Sequence, residues 1–349
     1  MAEGNVVTVR PDQTVKDAFA AAAAGSDRLA VVVDDAARVM GVLTDGDIRR
    51  AALRGVGMDA PVGDLLSAAP LLCTPQQSDD EVREILRAHR LPALAVVDDQ
   101  SRLVGVRRMA DLDPAAVAAA VGVLMVGGRG ERLRPLTDKL PKPLLRIGGA
   151  AIVERLIASF RKAGVRDVYL TLNYMAEQFE EKLGDGDAHG VRLHYIREPE
   201  AMGTAGSLSL LEPPTTPLLV SNGDLVTTVD FAAMVDFHRY HGADITVAGV
   251  EYAAQVPYGV LRTADHHLLH IEEKPTLRQL VSAGMYVVQP EVLRYVPKDR
   301  PFGMPDLVDA VLHDGRTVTV FPLLERWSDI GTRDEFERVL FEFAVEEDA

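Results

Sequence analysis

Leu124-Met-Val-Gly-Gly-Arg-Gly-Glu-Arg-Leu-Arg-Pro-Leu-Thr-Asp-Lys-Leu-Pro-Lys-Pro-Leu-Leu-Arg-Ile-Gly-Gly149 sets a glycine turn and a run of cations directly after a short apolar strand. Gly127, Gly128 and Gly130 let the backbone approach phosphate oxygens and aim N–H groups at them, while Arg129, Arg132 and Lys142 supply countercharge. Residues 127–146 carry six Lys/Arg against two acids, a local +4 in a chain of formal net charge −15. A patch whose charge opposes that of the whole chain points to a bound polyanion, and a nucleoside triphosphate fits the loop. Arg132-Leu-Arg-Pro-Leu-Thr137 followed by Pro141-Lys-Pro-Leu144 is not the P-loop, which ends its loop in Gly-Lys-Ser/Thr. It is not the dinucleotide fingerprint either, because no acid closes a following strand about twenty residues on.

The surrounding chain bounds the possibilities. At 349 residues it has room for two or three domains and a sizeable core. Cys73 is the only cysteine, so an intrachain disulfide is excluded and a structural zinc site has no support. Met1-Ala-Glu-Gly-Asn5 lacks the basic start and apolar core of a signal peptide, and the apolar run 115–126 is too short to span a bilayer. A cytoplasmic protein is expected. The acidic balance argues against nucleic acid as a partner.

Upstream of the loop the chain repeats itself. Pro11 and Pro75, Asp34 and Asp98, Arg38 and Arg102, Gly41 and Gly105, and Asp47 and Asp111 all pair at one offset of 64. Each copy reads as a helix (14–24; 78–89), a β-branched strand (29–33; 93–97), an Asp-Asp turn, a second strand (39–43; 103–106) and a closing helix. This pattern resembles a tandem pair of CBS motifs, about residues 1–60 and 61–113. The resemblance implies clefts for adenine nucleotides or related ligands, with Thr44 toward a phosphate and Asp47 toward a ribose hydroxyl. In the second copy Asp111 is kept, but Arg108 stands at the position matching Thr44. A packing or dimerisation module without ligand is the other reading. Residues 114–120 form a short Ala-rich linker, expected to continue as helix.

From residue 121 onward strands and helices alternate (121–126, 152–163, 167–172, 175–183, 191–196), which predicts an α/β domain with a mostly parallel sheet and ligand at the strands' carboxyl ends. The glycine loop with its Pro-Lys-Pro sequel resembles the signature of sugar-1-phosphate nucleotidyltransferases, over roughly residues 120–345. That resemblance implies a Rossmann-like, GT-A-like mixed-sheet domain over 121–349. It also implies transfer of a nucleotidyl group from a nucleoside triphosphate to a sugar or cyclitol 1-phosphate, giving a nucleotide-sugar and pyrophosphate.

Residue roles follow from the same resemblance. Gly203, Thr204 and Ala205 in Glu198-Pro-Glu-Ala-Met-Gly-Thr-Ala-Gly206 would offer close-approaching backbone to the base. Asp224, closing Leu219-Val-Ser-Asn-Gly-Asp224, and Asp329 in Trp327-Ser-Asp-Ile-Gly331 would hold Mg²⁺, which takes hard oxygens and usually only one or two from protein. Gly259 and Glu273 would face sugar hydroxyls and Lys274 the sugar phosphate. Arg132 and Lys142 would stabilise the triphosphate and α-phosphoryl oxygens. No general base is needed, since a phosphomonoester with a second pKa of about 6 is already an anion near neutral pH. His266, His267 and His270 lack metal-ligand spacing and a nucleophile partner, and they read as surface residues of a hairpin loop.

Two departures stand out. Glu131 occupies a place where relatives have Thr, which requires it to point away or to pair with Arg129 or Arg134. The sequence also runs only about twenty residues past Asp329, so the left-handed β-helix of several relatives is not expected. The N-terminal repeat resembles instead the CBS-fused branch, which includes guanylyltransferases for amino-sugar, heptose and cyclitol phosphates. GTP is therefore the expected nucleotide, with UTP or dTTP as the alternative, and the pair of CBS motifs is expected to make a homodimer or higher homo-oligomer. From other classes stand a non-catalytic CBS-type nucleotide sensor and a glycosyltransferase of similar fold, the latter expected to show Asp-x-Asp rather than Asn222-Gly-Asp224.

Overall fold

The structure, a computed structural model, describes residues 7–25, 28–66, 70–89, 91–112 and 120–347. The first half of the repeat runs β1 (Thr8–Val9), α1 (Val15–Ala24), β2 (Leu29–Val33), β3 (Val39–Thr44) and α2 (Asp45–Leu53). The second runs β4 (Leu72–Cys73), α3 (Asp79–Ala88), β5 (Ala93–Val97), β6 (Leu103–Arg108) and α4 (Met109–Leu112). The 64-residue offset survives in three dimensions: Leu29 pairs with Thr44 and Ala93 with Arg108, and both sheets carry a bulge at the matching place. Capping boxes start α1 at Thr14 and α3 at Ser78. The two sheets bury their β-branched faces on one another, with Leu29, Val31, Val33 and Val39 against Ala93, Ala95 and Val97. Of the linker predicted at residues 114–120, residues 114–119 lie outside the described residues, and Ala120, just before β7, is buried and not helical.

The second unit opens with β7 (Val121–Met125), the short hairpin β8 (Arg146–Ile147) and β9 (Ala150–Ala151), and α5 (Ile152–Lys162). It continues through β10 (Asp167–Leu172), α6 (Ala176–Leu183), β11 (Arg192–Arg197), the single turn α7 (Gly203–Gly206), β12 (Leu218–Asn222), β13 (Leu225–Thr227) and α8 (Phe231–His241). The last third holds β14 (Ile245–Gln255), β15 (Val260–Ala264), β16 (His267–Glu272), β17 (Thr276–Val288), α9 (Met304–His313), β18 (Val318–Pro322), β19 (Trp327–Asp329) and α10 (Arg333–Glu347).

Seven of these strands make one sheet in the order β11-β10-β7-β12-β17-β14-β18, with β17 alone antiparallel to its neighbours. Alternation along the central strands sends Leu124 and Leu219 into one buried cluster and Val123, Leu218 and Val220 into the other. The sheet is therefore covered on both faces, as a mostly parallel sheet must be. Helix α5 shows why one cover forms here: Ile152, Val153, Leu156, Ile157 and Phe160 are buried at helical spacing. Past Gly249 the β14–β17 pair leaves the sheet as a two-stranded ribbon, and β15–β16 forms a separate hairpin beyond it. This projecting arm corrects the expectation for the clustered histidines, because His267 and His270 lie on strand β16 and not in a loop; all three are exposed, as expected.

One buried histidine belongs to the core. His238 of α8 is fully buried, its Nδ1 2.9 Å from Thr246 Oγ1 and its Nε2 3.0 Å from Gln289 Nε2. Burial, helped by the charge of Arg239, pushes its pKa down to about 4. Between pH 6.5 and 4 the unfolded chain binds a proton that the native state refuses, so stability falls as pH falls through that window. Thermal midpoints followed by circular dichroism at pH 7, 5 and 4 should show a flatter fall for His238→Gln than for the parent chain. Parallel curves would remove His238 as a cause.

Candidate active site

The carboxyl ends of β7 and β12 lie side by side, and the chemistry-bearing loops leave from there. Asn222 pairs with Met125 across the two strands, and Gly223 donates its N–H to the Met125 carbonyl at 2.9 Å. The glycine loop follows β7 directly. Gly130 has φ +61°, a left-handed conformation that other residues adopt at a cost, and a Cβ there would sit 3.0 Å from Lys142 Cβ. Thr137 closes the loop by donating its hydroxyl to the Gly130 carbonyl at 2.8 Å. Gly128 and Arg129 are exposed at its crest and Gly127 is half-buried.

Two acids that are far apart in sequence meet on one ribbon. β13 and β19 pair antiparallel with Leu225 opposite Asp329, and Asp224 immediately precedes β13. Between the acids stands Lys142, only 6 % exposed, its ammonium 2.5 Å from Asp224 Oδ2 and 3.6 Å from Asp329 Oδ1. Asp329 Oδ1 is buried without any hydrogen bond. Burial, with Asp224's charge beside it, pushes the Asp329 carboxyl up against the pull of Lys142 and Arg132. Arg132 itself lies along Gly331, where a Cβ would meet its Nη1 at 3.3 Å. The sequence placed Lys142 on the triphosphate; in the structure it bridges the two acids. Glu131 is exposed, and Arg134 lies 3.5 Å from Asp138 and not from Glu131, so Glu131 meets its condition by pointing outward.

The residue set suits a divalent cation bound together with substrate. Among the described residues no group of three or more His, Cys, Asp or Glu gathers into a cage. Two carboxylates, one with an oxygen lacking a donor, match the one or two protein ligands that Mg²⁺ takes when phosphates provide the rest.

The segment expected to meet the base forms a helical turn, α7, and Thr204 caps α9, accepting the Met304 N–H at 2.9 Å. Ala205 is buried, and its N–H, like that of Gly206, is spent on the Phe302 carbonyl. Only Gly203 and Thr204 remain exposed to meet a base. Gly203, at φ +79°, lies so close to Phe302 that a Cβ would fall 2.7 Å from its carbonyl oxygen. The sequence reading passed over Glu198, which follows β11 directly. Its Oε1 lies 3.3 Å from where a Gly127 Cβ would be, its Oε2 accepts the Met202 N–H at 3.2 Å, and burial raises its pKa. The signal was its place at a strand's carboxyl end.

On the sugar side the structure brings Gly259 to Glu273, with 3.1 Å from a Gly259 Cβ to Glu273 Oε2. Both, with Lys274, are exposed on the arm, whereas Lys142 is buried between the acids. In the repeat, Thr44 and Asp47 hold one another in the capping box that starts α2, and Asp47's other oxygen pairs with Arg50. Asp111 lies 3.5 Å from Arg108 in the second copy. The cleft residues are thus engaged with protein partners in both copies.

Residues 121–344 match the family described as Nucleotidyl transferase, and residues 1–54 and 62–111 match the CBS domain. Mannose-1-phosphate guanylyltransferase of Mycobacterium tuberculosis is 31 % identical over 226 residues, which is 62 % of this chain and 62 % of that protein. Mannose-1-phosphate guanyltransferase of Debaryomyces hansenii is 32 % identical over 225 residues, with the same 62 % coverage of each. The chain thus spans less than two thirds of the length of these curated relatives. Among solved structures, one described as a putative glucose-1-phosphate thymidylyltransferase from Bacillus anthracis in complex with a sucrose superposes with a TM-score of 0.53 at 22 % identity. The match covers 64 % of this chain and 95 % of that one, a likeness of fold.

Proposed function

The chain belongs to the nucleotidyl transferase family, and from that premise we propose that it transfers a nucleotidyl group from GTP to a sugar or cyclitol 1-phosphate, releasing pyrophosphate. The observation that carries the reading is the Lys142–Asp224–Asp329 cluster beside the glycine loop. A non-catalytic sensor has no need of two acids held together around a lysine. Matches to mannose-1-phosphate guanylyltransferases support guanine, and mannose 1-phosphate heads the panel of acceptors to try.

In this reading the loop 127–130 and Arg129 hold the triphosphate, and Arg132 faces the α-phosphoryl group. Asp224 and Asp329 would hold Mg²⁺, which when bound acts as a Lewis acid on the phosphoryl oxygens. Lys142 keeps the acids together before substrate arrives and shares the charge that develops on the phosphoryl oxygens. The sugar phosphate, already anionic, is oriented by Gly259, Glu273 and Lys274 for attack opposite the leaving pyrophosphate. For the N-terminal pair, about residues 1–113, we infer an assembling role, a homodimer being the commonest closed solution for identical surfaces. A regulatory nucleotide at this cleft would meet Thr44 and Asp47 already engaged in the helix cap and with Arg50.

Base choice rests on Glu198 in this proposal. An ionised carboxylate only accepts hydrogen bonds, and guanine offers it adjacent N1–H and N2–H₂ donors, which would offset the burial of its charge. Uracil and thymine flank their single N–H with acceptors. Glu198→Gln should therefore lower kcat/KM for GTP by about 10²-fold while changing that for UTP little. An unaltered GTP:UTP ratio would remove Glu198 from base selection. The reaction itself is tested by pyrophosphate release from each common nucleoside triphosphate with a panel of hexose, heptose and cyclitol 1-phosphates. No release with any pair would end the transferase reading.

A further inference from the structure

Arg49 belongs to α2 of the N-terminal repeat, yet most of its bonds are to the transferase domain. Its side chain is 1 % exposed. Nη1 donates to the Pro322 carbonyl at 2.7 Å and to Glu325 Oε2 at 3.0 Å, Nη2 donates to Glu325 Oε1 at 2.6 Å, and Nε donates to Asp45 at 2.7 Å. The guanidinium lies 4.0 Å over the Phe321 ring and 5.2 Å from that of Phe19. Leu324, between the two polar anchors, packs into the core of the repeat's first half. A bidentate, stacked arginine of this kind fixes its partner in both position and orientation.

The segment so held is the connection from β18 to β19, and β19 ends on Asp329. At the clamped end of the β13–β19 ribbon, Thr227 Oγ1 and the Thr228 N–H both donate to the Arg326 carbonyl, at 2.8 and 3.1 Å. Three residues on, about 10 Å along the strand, Asp329 stands beside Asp224. Clamp, ribbon and acids thus follow one another within a few residues of chain.

We infer that Arg49 is a positioning residue for the metal-binding carboxylates, so that the N-terminal repeat completes the active site mechanically as well as contributing to assembly. Arg49 grips Pro322 and Glu325, sets where β19 enters the ribbon, and through it sets the spacing of Asp329 from Asp224. The inference rests on these two acids being the metal ligands.

Mn²⁺ binding to the full chain with GTP and no sugar phosphate, followed by electron paramagnetic resonance, tests it without turnover. Removing one member of a buried pair is strongly destabilising, whereas apolar replacement of both is often neutral. Arg49→Met is therefore compared with Arg49→Met/Glu325→Met, each at a temperature where circular dichroism shows it folded. Both variants should bind Mn²⁺ about fivefold or more weakly, with KM for GTP within about twofold of the parent, and the double variant should regain part of the thermal midpoint, Asp45 still lacking its partner, but not the affinity. A Mn²⁺ isotherm of either folded variant that overlays the parent's overturns the inference. So does a double variant that regains affinity, since bare charge on Glu325 would then be the cause. Asp224→Asn separates the two claims: if it too leaves Mn²⁺ binding unchanged, the metal assignment has failed; if it weakens binding and Arg49→Met does not, the clamp has.

Discussion

Asp224→Asn is expected to lower kcat by at least about 10²-fold and to raise the half-saturating Mg²⁺ concentration sharply, with Asp329→Asn acting in the same direction. The expectation follows from the paired placement of the acids at the β13–β19 ribbon, where no third carboxylate, His or Cys joins them among the described residues. An amide keeps the shape of each side chain and removes the charge, so the shift in Mg²⁺ requirement reports on the cation, while the fall in kcat also includes the loss of Lys142's partner. Activity measured against Mg²⁺ concentration checks it. Unchanged titrations in both variants would mean that the cation sits elsewhere.

Lys142→Ala should lower kcat by about 10²-fold or more, because a preorganised charge at developing phosphoryl charge typically contributes a few kcal/mol. The structure adds a second signature. Lys142 is ion-paired to Asp224 and lies within reach of Asp329, so it competes with a cation for the same carboxylates. Its removal should therefore leave the apparent Mg²⁺ affinity equal or tighter while turnover collapses. Steady-state kinetics over a Mg²⁺ series separates the two effects. Near-parent kcat would end the assigned role, and a loss confined to metal affinity would reduce Lys142 to holding the acids in place.

Much of the architecture was legible before any coordinates. The constant 64-residue offset implied two superposable units with no insertion between them, and pairing registers differing by 64 are its geometric counterpart. Alternating apolar strands and amphipathic helices such as α5 announced a sheet covered on both faces, because such faces have no other stable resting place. What periodicity could not carry was the arm. Past Gly249 the strands lose their sheet neighbours, and a strand reads the same locally whether or not a third strand lies beside it.

The sequence by itself determined the local devices: the glycine loop that turns at Gly130, the caps at Thr14, Thr44 and Ser78, and the acids closing their strand motifs. Each needs only a few consecutive residues, whose backbone preferences and hydrogen bonds are short-ranged. Only the tertiary structure decided what those residues face. Lys142 meets Asp224 across 82 positions of chain, Thr204 caps a helix 100 residues away, and Arg49 reaches Glu325 over 276. Such pairings depend on which strands lie adjacent in the sheet and on how the repeat docks against it. Burial then gives them their strength: a charge withdrawn from water must find its counterion wherever packing has put one.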